Sequence, residues 1–283
     1  MRNESRFASG LRALLPVAFV LSISAGVLFS GAPDQVPPRE QIKAYCAGLQ
    51  SPDWQQRQKS FNQLVDLGMG GKTSITAPRD GTRTLVDRYP ELRDSISTSL
   101  IVLLQTEDNL VAANTQLTPD HRNFYSDVVM AVSILHDPRS AQALLGAVDT
   151  GNMAVAAAAG LGNATLKPAL AMLKAATNRD DKLDMMVVLM QMAQPHNVAK
   201  LQGADARKQL KEALIQAASD KEPLVRRAGI EGLMALGDRD TIPFLQHIAD
   251  TDPETTGKPG AFQYPIREYA KQAIETIEKN APS

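Results

Sequence analysis

The 283-residue sequence has a single cysteine, almost no net charge and little of the alternating β-branched and aromatic pattern that builds strands. Each shortage excludes something. With Cys46 alone, in IKAYCAGL, neither an intramolecular disulfide nor a cysteine metal cluster can form, and Cys46 reads as a small buried hydrophobe. Thirty Lys and Arg stand against 31 Asp and Glu, with no basic run after the N-terminus, so the electrostatic footprint of a nucleic-acid-binding protein is missing. The four histidines, His121, His136, His196 and His247, show no metal-ligand spacing and read as turn or surface residues. No cofactor is expected.

What the chain does have is Ala, Leu, Met and Val at helical spacing, within a hydrophobic content of 43%. That is enough for a sizeable core in one extended or two compact domains. The first residues are set apart. Arg2, Arg6 and Arg12 precede an uncharged apolar run from Ala13 to Phe29, the pattern of an export signal or of an N-terminal membrane anchor over residues 13–29. Ser24-Ala25-Gly26 and Ser30-Gly31-Ala32 both place small residues at cleavage spacing, but the second is followed by Pro33, which peptidases tolerate poorly. Residues 1–32 are therefore assigned to a signal or anchor, and polar, proline-bearing 33–40 to a linker. The folded body, 41–283, is then mildly acidic.

Within the body the turns repeat. ALGDRDTIPFLQHI from Ala235 aligns with GLGNATLKPALAML from Gly160: Leu-Gly, then Asp or Asn, four variable positions to proline, and Leu two beyond. ILHDPRSAQALLGAV from Ile134 keeps Asp137 after the turn and Leu144 at the later leucine. Each Asp or Asn is placed to cap the helix that follows. The helix before the turn recurs too. VRRAGIEGLMAL from Val225 matches IREYAKQAIETI from Ile266, QRQKSFNQLVDL from Gln56 and LRDSISTSLIVL from Leu92, with Arg226, Arg267, Arg57 and Arg93 coincident. The last leucine-type positions, Leu67, Leu103, Leu135, Leu161, Met192, Leu236 and Ile277, lie 26 to 44 residues apart, a period that means stacked helical pairs.

These residues resemble the HEAT repeat family, in particular its short HEAT-like units of the phycobilisome-lyase type. The Leu-Gly-Asp turn, the early proline and the Val-Arg helix of Ser219–Leu245 carry the likeness best; the units before residue 130 carry it weakly. DTGNMAVAAAAGLG is about one turn short and lacks the arginine, and TDPETTGKPGAFQYP inserts a loop. The resemblance implies an all-α fold, an α-solenoid of stacked HEAT-like helical pairs. It also implies that Arg226 pairs with a loop aspartate, Asp220 being a candidate. The physics agrees, since one pair cannot hide Leu233, Leu236 and Leu245 by itself and needs neighbours to cover them. Ala157, Gly229, Gly232 and Ala273 are small enough for close helix approach.

Other candidates for chemistry fare poorly. GMGGKTS from Gly68 lacks the spacing and the preceding strand of a phosphate-binding loop. Asp250, Asp252 and Glu254 suggest a calcium loop, but proline follows Asp252 and the mid-loop glycine is absent, so a solvated loop is expected. Cys46 has no paired base in sequence and sits at helical spacing between Ile42 and Leu49.

A non-enzymatic, exported or membrane-anchored scaffold that holds a protein or peptide on its helical surface is the expected function. The alternatives are an enzyme or enzyme accessory like the lyases, with a reactive Cys46, and a structural envelope protein. If Val225, Gly229, Gly232, Leu233 and Leu236 form the buried stripe, Arg227, Ile230, Glu231 and Met234 face the other way. Carried to the aligned helices, these offsets give one row of Phe61, Ser97, Val129, Met186, Ile230 and Lys271. A second row is Val65, Ile101, Ser133, Met190, Met234 and Glu275. The expected partner surface is a stripe of Met186, Met190, Ile230 and Met234, with Lys271 and Glu275 at its rim.

Overall fold

The structure is a computed structural model and describes residues 38–113, 117–258, 260 and 263–280. The signal or anchor assigned to 1–32 lies outside the described residues. The described helices belong to one compact unit. They are α1 (Pro38–Gly48), α2 (Trp54–Met69), α3 (Ala77–Arg88), α4 (Arg93–Ala113), α5 (Pro119–Ser133), α6 (Ala141–Gly146) and α7 (Asn152–Gly160). There follow α8 (Asn163–Ala175), α9 (Arg179–Ala193), α10 (Pro195–Val198), α11 (Ala204–Ala218), α12 (Pro223–Leu236), α13 (Ile242–Thr251) and α14 (Pro265–Asn280). Among the described residues there is no strand. The fold is an α-solenoid. Helix α1 starts at Pro38, so Pro38, Arg39 and Glu40 are helical rather than linker; proline suits a first helical position, where its missing N–H has no partner to lose.

Six antiparallel-type pairs, α1/α2, α4/α5, α6/α7, α8/α9, α11/α12 and α13/α14, stack in sequence. The first helices of the pairs make one layer, in which α1 meets α4, α4 meets α6, α6 meets α8 and α8 meets α11. The second helices make the other, running α2, α3, α5, α7, α9, α12, α14. Helix α3 is an insertion in that layer, between α2 and α5. The alignment of α4 with α12 is therefore corrected: α4 belongs to the first layer, and the helix of the α4/α5 pair that corresponds to α12 is α5. Arg93 accordingly does a different job, donating to the Leu135 carbonyl at 3.0 Å at the end of α5.

Two helix contacts, one within a pair and one within the second layer, are close because the residues that meet there are small. A Cβ on Gly229 would lie 2.3 Å from the Ala218 nitrogen, and one on Gly68 2.1 Å from the Gly81 carbonyl oxygen. Backbone meets backbone there, so α11/α12 and α2/α3 approach more nearly than any side chain allows. The turns work differently from the expectation. Of the three capping residues, Asp137 accepts from the Arg139 N–H at 2.9 Å. Asp238 gives its carboxylate instead to Arg207 and Lys211 of α11, and Asn163 bonds in both directions with Gln202. Long-range partners, cationic side chains of α11 for Asp238 and the Gln202 backbone for Asn163, take these groups in place of the local cap.

Two arginines do recur as aligned. Arg226 Nη1 donates to the carbonyls of Asp220 and Lys221, at 3.1 and 3.0 Å. Arg57 Nη1 donates to those of Ser51 and Pro52, at 2.8 and 3.0 Å. Each thereby holds the turn that launches its own helix, and each also reaches a carboxylate of the next pair. Arg226 meets Asp252 through Nε at 2.8 Å and Nη2 at 3.2 Å; Arg57 meets Glu107 of α4 at 2.6 Å. The partner of Arg226 is thus the backbone of Asp220 and the carboxylate of Asp252. Asp252 and Glu254, placed by sequence in a solvated loop, instead close on this arginine, Asp252 itself being buried. Arg267 adds a bond to the Asp252 carbonyl at 2.7 Å.

His121 is likewise corrected, since it is buried rather than at a turn or surface. Its Nε2 lies 2.6 Å from Glu107 Oε2, and its ring stacks on Trp54 at 4.4 Å with planes 6° apart. Arg57, Glu107 and His121 form a buried polar chain across α2, α4 and α5. Replacing Arg226 with alanine leaves the Asp252 carboxylate buried without its cation, and is expected to cost about 3–5 kcal/mol of unfolding free energy. Urea denaturation checks it; a loss under about 1 kcal/mol would contradict the clamp.

Candidate functional site

In a stack of pairs, a second-layer helix is covered on one side by its own partner and on both flanks by neighbours, leaving a narrow exposed strip. Helix α9 is held between α7 and α12, and α12 between α9 and α14. The offset rows chosen from sequence fall mostly on those covered flanks. Met186 and Ile230 are 0% and 1% exposed, and Phe61, Val65, Ser97, Ile101 and Val129 are buried as well. Met186 and Ile230 are therefore core residues and not a partner surface. Met190 is half-buried and packs on the same core.

The other three residues reach the surface in two separate places. Met234 lines a cleft of about 440 Å³ with Pro195, Ala235 and Ile277, where α12 and α14 end near α10. Lys271 and Glu275 flank a depression of about 250 Å³ on α14, beside Glu268 and Tyr269. There Lys271 pairs with Glu268 at 2.8 Å. The structure does not bring the six residues into one stripe. Of the face read as exposed on α12, Arg227 and Glu231 do reach solvent, paired with each other at 2.7 Å, with the guanidinium 4.3 Å from the Tyr269 ring centre.

Two further clefts flank α8. One of about 590 Å³ separates α8 from α11. Its walls carry Leu170 and Leu173 from α8, and Ala213, Gln216 and Ala217 from α11, with Gln209 and Glu212 at the rim. The floor is reached by Val225 and by the ion pair of Lys182 with Asp220. Burial works against the charge on Asp220, but the Lys182 ammonium and the Glu222 N–H overcome it and hold the carboxyl below the usual range. A second cleft of about 380 Å³ opens beside it, between the end of α6 and the start of α9, and the two share Ala176. Sequence reasoning missed both. They arise from the spacing between helices 30 to 40 residues apart in the chain, and no local pattern records that spacing.

Cys46 lines a shallow cleft of about 400 Å³ between α1 and α4 and is itself 5% exposed. Burial pushes its thiol pKa up, against a weaker opposing bond from Ser99. A raised thiol pKa means little thiolate at neutral pH, the reverse of what a nucleophile needs. Among the described residues no set of three or more His, Cys, Asp or Glu side chains is grouped to hold a metal ion, and no helix is long and apolar enough to cross a membrane.

Two expectations follow. Truncating Met186 or Ile230 to alanine is expected to cost about 2–5 kcal/mol, as for other core residues, while Met190→Ala costs visibly less. Chemical denaturation of the three variants measures the difference. Cys46 is expected to react with a soluble disulfide reagent at least about tenfold more slowly in the native chain than in urea, as absorbance of the released thiolate would show; equal rates would overturn its burial.

Residues 195–258, which run from α10 through α13 and include Arg226, Asp252 and Glu254, match the family model of HEAT repeats. No curated protein and no solved structure matches the chain.

Proposed function

The chain carries HEAT repeats, and on that premise we propose that it is a non-enzymatic scaffold that binds a protein or peptide through its first-layer clefts, outside the cytoplasm or on a membrane. The observation that supports this reading is the cleft between α8 and α11. It is an open groove in which aliphatic side chains of both helices stand beside Gln209, Gln216, Glu212 and Lys174, a mixture by which a surface seats apolar anchors and orients a backbone. Repeats expose such grooves because each pair contacts only its neighbours along the stack. The buried, high-pKa thiol of Cys46 speaks against the enzyme-like alternative. Export or anchoring rests on the N-terminal sequence, Arg2, Arg6 and Arg12 before the apolar run 13–29.

A photo-crosslinking residue placed at exposed Gln216, in the α8–α11 cleft, is expected to yield a discrete protein adduct in native cells. The same residue at exposed Lys72, in the loop after α2, is expected to yield none. Adducts that are absent, or identical at both positions, would remove this cleft as a binding surface. Mass determination of the chain after membrane fractionation separates a cleaved, exported form from a retained anchor.

A further inference from the structure

The second first-layer cleft differs from its neighbour in charge. Its floor is apolar: Leu145 and Val148 at the end of α6, Met172 from α8 and Met185 from α9. Its rim carries Asp149, Asp181 and Asp184. A fourth carboxylate stands behind it, because Asp108 packs against Gly146 so closely that a Cβ there would collide with it. Asp108 accepts the Tyr125 hydroxyl, and Asp181 accepts from the Asn178 side chain at 2.8 Å. Among the described residues, neither Lys nor Arg pairs with Asp149, Asp181 or Asp184.

Elsewhere on this chain, carboxylates near a groove are matched from within: Asp220 by Lys182, Asp238 by Arg207 and Lys211, Asp252 by Arg226. Here they are left to one another. Burial raises the pKa of Asp184, and Asp149, Asp181 and Asp180 raise it further. Burial raises that of Asp108 as well; the Tyr125 hydroxyl opposes this, and Asp149 adds to it. A cation from outside would relieve both penalties, and an apolar floor beside it would reward an aliphatic neighbour. The carboxylates are not grouped for a metal ion, and a surface of this sign repels nucleic acid and anionic lipid.

We propose that this cleft seats a basic–apolar peptide segment of a partner protein. A lysine or arginine is directed at Asp149 and Asp184, and an adjacent aliphatic side chain rests on Leu145 and Met185. This rests on the reading of the chain as a scaffold and adds to it the chemistry of the partner. Because the clefts share Ala176, a segment running past the end of α8 passes from the mixed polar and apolar groove between α8 and α11 to the acidic one.

The test is fluorescence anisotropy of the full chain with a fluorescein-labelled peptide, Gly-Leu-Lys-Leu-Leu-Arg-Leu-Gly, and with its counterpart in which Glu replaces Lys and Arg. The basic peptide is expected to bind and the acidic one not to. Affinity is expected to fall about tenfold or more in the Asp149→Asn/Asp184→Asn double variant, to fall with added salt, and to be unchanged by Lys72→Gln in the loop after α2, outside both clefts. Removing two like charges leaves the thermal midpoint of the double variant at or above that of the parent. No binding of the basic peptide, equal binding of both peptides, or full binding by the double variant would overturn the proposal. The scaffold reading fails separately: an adduct at Gln216 without basic-peptide binding removes this inference alone, whereas loss of the adduct with basic-peptide binding intact removes the α8–α11 groove and keeps the acidic cleft.

Discussion

A guanidinium buried at the first turn of a helix must find its partners inside the protein, because leaving even one charge of a buried pair uncompensated costs several kcal/mol. Arg226 meets that demand by holding two carbonyls of its own turn and a carboxylate of the following pair. One side chain therefore fixes both the direction in which α12 leaves its turn and the position of the next loop. Arg57 repeats the arrangement near the other end of the described chain, with Glu107 as its carboxylate and His121 and Trp54 built around it. The stacking of pairs depends on such clamps, since apolar contact alone is non-directional and sets no register.

The two layers answer this constraint unequally. In the second layer Gly68 of α2 meets Gly81 of α3 backbone to backbone, as Gly229 of α12 meets Ala218 of its own partner α11, and Met186, Met192 and Ile230 are buried. In the first layer the helices are shorter or farther apart; α6 has six residues and α8 meets α11 over a limited stretch. Clefts open there.

Charge follows the same division. Two carboxylates in turns are met by a cation of another helix, Asp220 by Lys182 of α9 and Asp238 by Arg207 of α11. Around the short α6 and the loop to α7, the carboxylates of Asp149 and Asp184 have no such cation. Asp149 belongs to the irregular unit, one turn short and without the arginine.

Sequence alone determined the helical class, the paired repeat and the best-formed unit, Ser219–Leu245, because these are written in local spacings: 3.6-residue periodicity, a Leu-Gly-Asp turn and an arginine at a fixed offset. It also placed Arg226 correctly as a structural residue, since a cation at that offset has its own turn within reach. Only the tertiary structure decided which flank of α9 and α12 is covered, and so moved Met186 and Ile230 from surface to core. It alone moved α4 into the first layer, joined Arg57 to Glu107 across 50 residues, turned Asp252 inward and opened the clefts beside α8. The physical reason is that one residue of register turns a helix face by about 100°, and an inserted helix such as α3 shifts every later assignment to a layer. Periodicity within a helix marks the apolar face, but what that face meets is set by helices far along the chain.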